Sequence, residues 1–228
     1  MYYFILVIIV MVGWLASSNL KKKAERYSQI PLENGMTGKN VAEKMLYDNG
    51  IYDVRVVISD GILTDNYNPS DKTISLSKAI YKENNVFAAA VAAHETGHAI
   101  QHVTAYAPLS IRSALVPAVS FSSKYVQWII LAGLLLIGNG LKIGTSILLT
   151  GIGLFAVITL FSFITLPVEI NASVRALAWL NRSGITTLRS HRAAEDALKA
   201  AAYTYVVSAL SSLTTFFYYV MIYMNRRD

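Results

Sequence analysis

His94-Glu95-Thr96-Gly97-His98 sets two histidines four residues apart, with a carboxylate directly after the first. On a helix that spacing is one turn, so both imidazoles share a face and can bind one metal ion. Zn²⁺ suits the pair because it accepts neutral nitrogen donors in a tetrahedral site. Glu95 falls off the ligand row, where it can deprotonate a metal-bound water instead of binding the metal. The plain alternative is a pair of surface histidines on an ordinary helix. The stretch leading into His94 is too apolar for a solvated face, which favours the metal.

A catalytic zinc usually takes three protein ligands and one water. His102 follows His98 by one further turn, but a four-residue step advances about 6 Å along a helix. A metal held between His94 and His98 therefore lies too far back for it, and His102 is expected to pack or to orient a ligand. Glu169 is the better third ligand. It follows Pro167, which is expected to end an apolar helix, and it stands one helical turn before Ser173. A carboxylate there could also be a simple interfacial anchor; the pairing with the histidine motif favours the ligand. The oxyanion of an acyl-transfer step needs a donor, and Arg175, His191 and Tyr67 are unranked candidates.

These side chains need elements to hold them. Asn84 or Asn85 can cap a helix that runs through Phe87-Ala88-Ala89-Ala90-Val91-Ala92-Ala93 into the motif. Gly97 inside that helix costs about 1 kcal/mol relative to alanine, which implies a packing reason. Thr37 reads as the N-cap of a short helix over residues 38–49, ended by Gly50. Residues 54–58 and 73–76 read as strands, with a turn at Asp60-Gly61. A small hairpin of the two, beside the metal-binding helix, could hold an extended substrate along its edge or serve as plain scaffold.

The chain is 54% hydrophobic and only 15% charged. Residues 143–166 and 201–224 contain no charge at all, and each is long enough to cross a bilayer. Residues 2–20 and 125–141 complete a set of four expected spans, the latter starting near Lys124, which can snorkel at the interface. The first span carries its positive charge after the apolar run, as Lys21-Lys22-Lys23 and Arg26. That order fits an uncleaved anchor rather than a signal peptide. Arg175, Arg182, Arg189, Arg192 and Lys199 add to the basic side, while Lys142, Arg226 and Arg227 lie opposite. The balance places both large loops in the cytoplasm and both termini outside. The net charge of +6 is then a topology signal, since no basic stripe with interleaved aromatics marks nucleic-acid binding. The absence of cysteine excludes disulfides and thiolate ligands.

Several stretches together carry a family resemblance. They are Leu63-Thr64-Asp65-Asn66-Tyr67-Asn68-Pro69, the segment from Ala92 through His102, Tyr106-Ala107-Pro108-Leu109, Arg112-Ser113-Ala114-Leu115-Val116-Pro117, and Leu166-Pro167-Val168-Glu169-Ile170-Asn171-Ala172-Ser173. Over nearly its whole length the chain resembles the bacterial YugP-like "putative neutral zinc metallopeptidases", which are small integral-membrane proteins. The resemblance implies a gluzincin-type site in which Glu169 completes the zinc ligands. It also implies a multi-pass protein of the bacterial inner (plasma) membrane. A more distant similarity links residues 169–173 to the HtpX-type and CAAX-prenyl-protease families. Those carry an aspartate where this chain has Ser173, whose hydroxyl could still orient a ligand.

The reading that emerges is a mainly α membrane protein, a single metallopeptidase domain over residues 1–228. About four transmembrane helices carry a small cytoplasmic α+β zincin-like cap, formed by residues 21–115 and 167–200. It is a Zn²⁺-dependent endopeptidase with Glu95 as general base, acting on membrane proteins or peptides near the cytoplasmic surface of the lipid bilayer, with no nucleic-acid partner. The alternative is a non-catalytic membrane scaffold with a structural zinc, which would have no use for the base at Glu95. A transporter is disfavoured by the uncharged third and fourth spans.

Overall fold

A computed structural model describes residues 2–61 and 64–226, with side chains from residue 7 onward. Leu63, part of the family resemblance, and Arg227, part of the orientation argument, lie outside the described residues. The order of elements is α1 (Tyr2–Tyr27), α2 (Gly38–Asp48), β1 (Arg55–Ser59), β2 (Asn66–Asn68), β3 (Thr73–Ser77), α3 (Lys78–Lys82), α4 (Val86–Val103), α5 (Ala107–Gly138), α6 (Ile143–Arg182) and α7 (Leu188–Met224). The chain forms two compact units. One comprises residues 1–109 and 167–204, the other residues 110–166 and 205–228.

In the first unit the local signals act as their chemistry dictates. Thr37 caps α2, its side chain accepting from Asn40 N while the Asn40 side chain accepts from Thr37 N. Gly50 then takes a left-handed φ of 68° that stops the helix. Of the two possible caps for α4, Asn85 serves, accepting from Ala88 N at 2.8 Å. Ala88, Ala89, Ala90, Ala92 and Ala93 are fully buried, so small side chains let neighbours approach the α4 backbone on every side. The same core takes Val41 and Met45 from α2, Ile74 and Leu76 from β3, Trp179 and Leu180 from α6, and Ala194 and Leu198 from α7.

The sheet corrects one expectation. Strands β1 and β3 are neighbours but run parallel, Arg55 opposite Thr73 and Ser59 opposite Ser77, so they are not a hairpin. A parallel pair needs a crossover of about a dozen residues, and the chain between them supplies it. Within that crossover lies β2, which pairs antiparallel on the other side of β3, giving the order β1-β3-β2. Its sequence Asn-Tyr-Asn is poor in strand formers and gives no alternating signal.

In the second unit α5 and α6 are joined by a tight turn in which Gly140 has φ 77°. Glycines set their close approach: a Cβ on Gly133 would lie 2.7 Å from Leu148 N, and one on Gly144 2.7 Å from Ile137 N. Val126, Ile130, Leu148 and Ile152 form the core, and Ser212 Oγ donates to Thr159 Oγ1 at 2.8 Å to tie α7 to α6. Trp128, Leu135, Leu160, Phe217 and Met221 point outward, as apolar side chains facing lipid would.

Among the described residues three helices, α5, α6 and α7, are long and apolar enough to cross a membrane. Their limits differ from those read by hydropathy. The helix expected over residues 125–141 begins at Ala107 and ends at Gly138, with Pro117 inside it. The helix that carries residues 143–166 does not end at Pro167: α6 runs on to Arg182. Proline removes one backbone donor, but Val168 and Ala172 beyond it are fully buried, and packing of that kind holds a helix past a proline.

Candidate metal centre

The site is built where α4 and α6 touch. A Cβ on Gly97 would lie 2.7 Å from the Ala172 carbonyl oxygen and 3.1 Å from its Cα, closer than real side chains come. Glycine is therefore required, and its helix penalty is the cost of bringing α6 against α4. The contact sets Glu169 of α6 over the row that carries His94 and His98. Glu169 Oε2 lies 3.1 Å from His94 Nε2 and 3.6 Å from His98 Nε2. The two rings stand edge to face, with centroids 4.8 Å apart.

Among the described residues these three form the group able to hold a metal, one ligand atom from each lying within 4.8 Å of the others. Two donors about 2.1 Å from one tetrahedral ion are about 3.4 Å apart, and the observed 3.1 and 3.6 Å fall on either side of that spacing. The remaining ring nitrogens are engaged, which turns each Nε2 toward the centre. His94 Nδ1 is 3.1 Å from Ser173 Oγ, and His98 Nδ1 is 3.0 Å from Gln101 Oε1. The donor set of two imidazoles and one carboxylate fits zinc. The His94 side chain, 13% exposed, is the most open of the three.

Glu95 is buried beside them, and burial pushes its carboxyl above the usual range, with the imidazoles of His94 and His98 pulling the other way. The charges of Glu169 and Asp65 raise it further.

The remaining candidates separate into two groups. Ser173 is in the cluster, through His94. Arg175 is one step behind it: its Nε donates to Asn171 Oδ1 at 2.8 Å, and its guanidinium stands 6.0 Å from the Tyr106 ring centre. His102 is exposed at the far end of the same row on α4, its Nδ1 2.7 Å from the Tyr67 hydroxyl on β2. Burial raises the Tyr67 phenol, and the charges of Asp53 and Asp71 add to the effect. His191 hydrogen-bonds Thr186 at the start of α7, at 3.1 Å. Two residues of the site had no role in the sequence reading, Gln101 and Asn171. The signal available was positional: Gln101 is one turn after His98, and Asn171 is one turn before Arg175.

Two apposed helices thus present three convergent donors and an adjacent buried carboxyl, in a chain with membrane-length apolar helices. The chain belongs to the family described as "putative neutral zinc metallopeptidase", which matches residues 2–224. It is 36% identical over 228 residues to a Bacillus subtilis (strain 168) protein described as "putative membrane protease YugP", covering 100% of this chain and 99% of the relative. No solved structure matches it.

Proposed function

We propose that the protein is a membrane-integrated zinc endopeptidase of gluzincin type, with His94, His98 and Glu169 as metal ligands and Glu95 as general base. The observation that carries this reading is the convergence of the three donor atoms within 4.8 Å, next to the buried carboxyl of Glu95. Zinc held there would polarise a peptide carbonyl and acidify water. Glu95 takes a proton from the water whose oxygen bonds to the carbonyl carbon, and delivers it to the amine as the C–N bond breaks. His94 and His98 are kept in register by the Ser173 hydroxyl and the Gln101 amide. Strand β2 borders the sheet beside α4, and its edge suits an extended substrate held by backbone hydrogen bonds. A scaffold with a structural zinc is the weaker reading, because such a site has no need of a buried carboxyl beside the ligands.

The topology belongs to the same proposal. The helix α1, with Val7, Val10, Met11, Trp14 and Leu15 exposed, serves as a fourth span. Lys21-Lys22-Lys23 and the basic residues of 175–199 lie on the cytoplasmic side, with both termini outside. Glu169 follows the uncharged stretch 143–166 by three residues on one continuous helix, about 5 Å of rise. Zinc bound to it would sit close to the cytoplasmic membrane surface, and membrane proteins or membrane-bound peptides would be the substrates. Metal analysis of purified protein is expected to give about one zinc per chain, as three ligands and a water complete a catalytic site. Loss is expected in His94→Ala, His98→Ala and Glu169→Ala; zinc retained by the Glu169 variant would remove that residue from the ligand set.

A further inference from the structure

Gln101 has no exposed surface, and the hydrogen bonds around it have a direction that can be deduced. Its Nε2 donates to the Val168 carbonyl at 2.8 Å and to Asn171 Oδ1 at 3.0 Å, while its Oε1 lies 3.0 Å from His98 Nδ1. Arg175 Nε donates to the same Asn171 oxygen at 2.8 Å. Both ends of this chain admit a single polarity. A guanidinium only donates, so the Asn171 atom facing Arg175 is its oxygen. A backbone carbonyl only accepts, so the Gln101 atom facing Val168 is its nitrogen. Val168 and Asn171 then use both hydrogens of that nitrogen. What Gln101 turns toward His98 is an oxygen, which can only accept, so His98 donates from Nδ1–H. A neutral imidazole protonated at Nδ1 keeps its lone pair on Nε2, the atom 3.6 Å from Glu169 Oε2.

We infer that Asn171 and Arg175 are positioning residues for the metal: together with the Val168 carbonyl they hold Gln101 in the orientation whose oxygen selects the His98 tautomer with Nε2 available to zinc. The inference rests on the zinc reading above and adds to it a hydrogen-bond relay from the guanidinium of Arg175 to one ligand. The His94 side has no such lock, because the Ser173 hydroxyl both donates and accepts. The relay also explains why three polar side chains stand in a row behind the histidine motif. Each passes on a hydrogen-bond direction that an apolar side chain of equal volume could not.

Zinc affinity of the full-length protein in detergent, measured by competition with a chromophoric chelator, tests the relay. Asn171→Leu keeps the branched heavy-atom shape and removes the shared acceptor, and zinc binding is expected to weaken about 10–100-fold. Asn171→Asp still accepts from both Gln101 and Arg175 and is expected to bind zinc as the parent does. Arg175→Met should weaken binding and Arg175→Lys should restore most of it; this pair decides if Asn171→Leu does not fold. A packing role would move the two Asn171 variants together. Zinc binding by Asn171→Leu or Arg175→Met equal to a zinc-binding parent would overturn the relay alone, whereas a parent that binds no zinc would overturn the zinc reading and the relay with it.

Discussion

Each ligand candidate reaches the centre with its second nitrogen or neighbouring atoms already committed, and the quality of that commitment is testable residue by residue. The Ser173 hydroxyl is 3.1 Å from His94 Nδ1. A neutral hydroxyl orients the ring without adding charge. Ser173→Ala is expected to lower zinc affinity about 10-fold, read by chelator competition, and an unchanged affinity would mean that His94 needs no support from α6. Glu95 makes the opposite prediction. Glu95→Gln is expected to retain its zinc and to lose about 10²–10⁴-fold in turnover, because the lost group moves a proton and is no ligand. Loss of metal along with activity would instead place Glu95 in the structural part of the site.

Elements explain which parts of this site could be read from the sequence. The His94/His98 pair was legible because helical spacing alone fixes their mutual placement, and Asn85, the alanine run and Thr37 announced the helices that hold the unit together. The parallel pairing of β1 with β3 was not legible, since direction depends on where β2 goes, and Asn66-Tyr67-Asn68 has no strand periodicity. The continuation of α6 through Pro167 was hidden for a similar reason. Proline is a local stop signal, and the packing of Val168 and Ala172 that overrides it is tertiary. Gly97 was legible as a cost without a cause; the cause is the Ala172 backbone. Gly97→Ala gains about 1 kcal/mol of helix propensity but overpacks the α4–α6 contact, a penalty of about 1–3 kcal/mol. A net fall in thermal stability together with weaker zinc binding is expected, because α6 carries Glu169. A variant that is more stable and binds zinc normally would show that the two helices have room to spare.

For the molecule as a whole, the chain belongs to the family described as "putative neutral zinc metallopeptidase" and has, among the described residues, three apolar helices of membrane length. The chain has no cysteine, so a single introduced cysteine reports unambiguously on its side of the membrane. Labelling at Asn139 from outside and at Lys82 only after permeabilisation is expected; external labelling at Lys82 would reverse the topology. If the centre lies at the cytoplasmic surface, a peptide brought to that surface should be cut faster than the same peptide in free solution at matched local concentration. The decisive measurement is cleavage of a lipid-anchored unstructured peptide by the protein reconstituted in vesicles. Hydrolysis should require zinc, cease on chelation, return on zinc addition and be absent with Glu95→Gln. Cleavage that survives chelation or proceeds equally with Glu95→Gln would contradict a zinc endopeptidase, as would a zinc-loaded protein that leaves tethered and free peptides alike uncut.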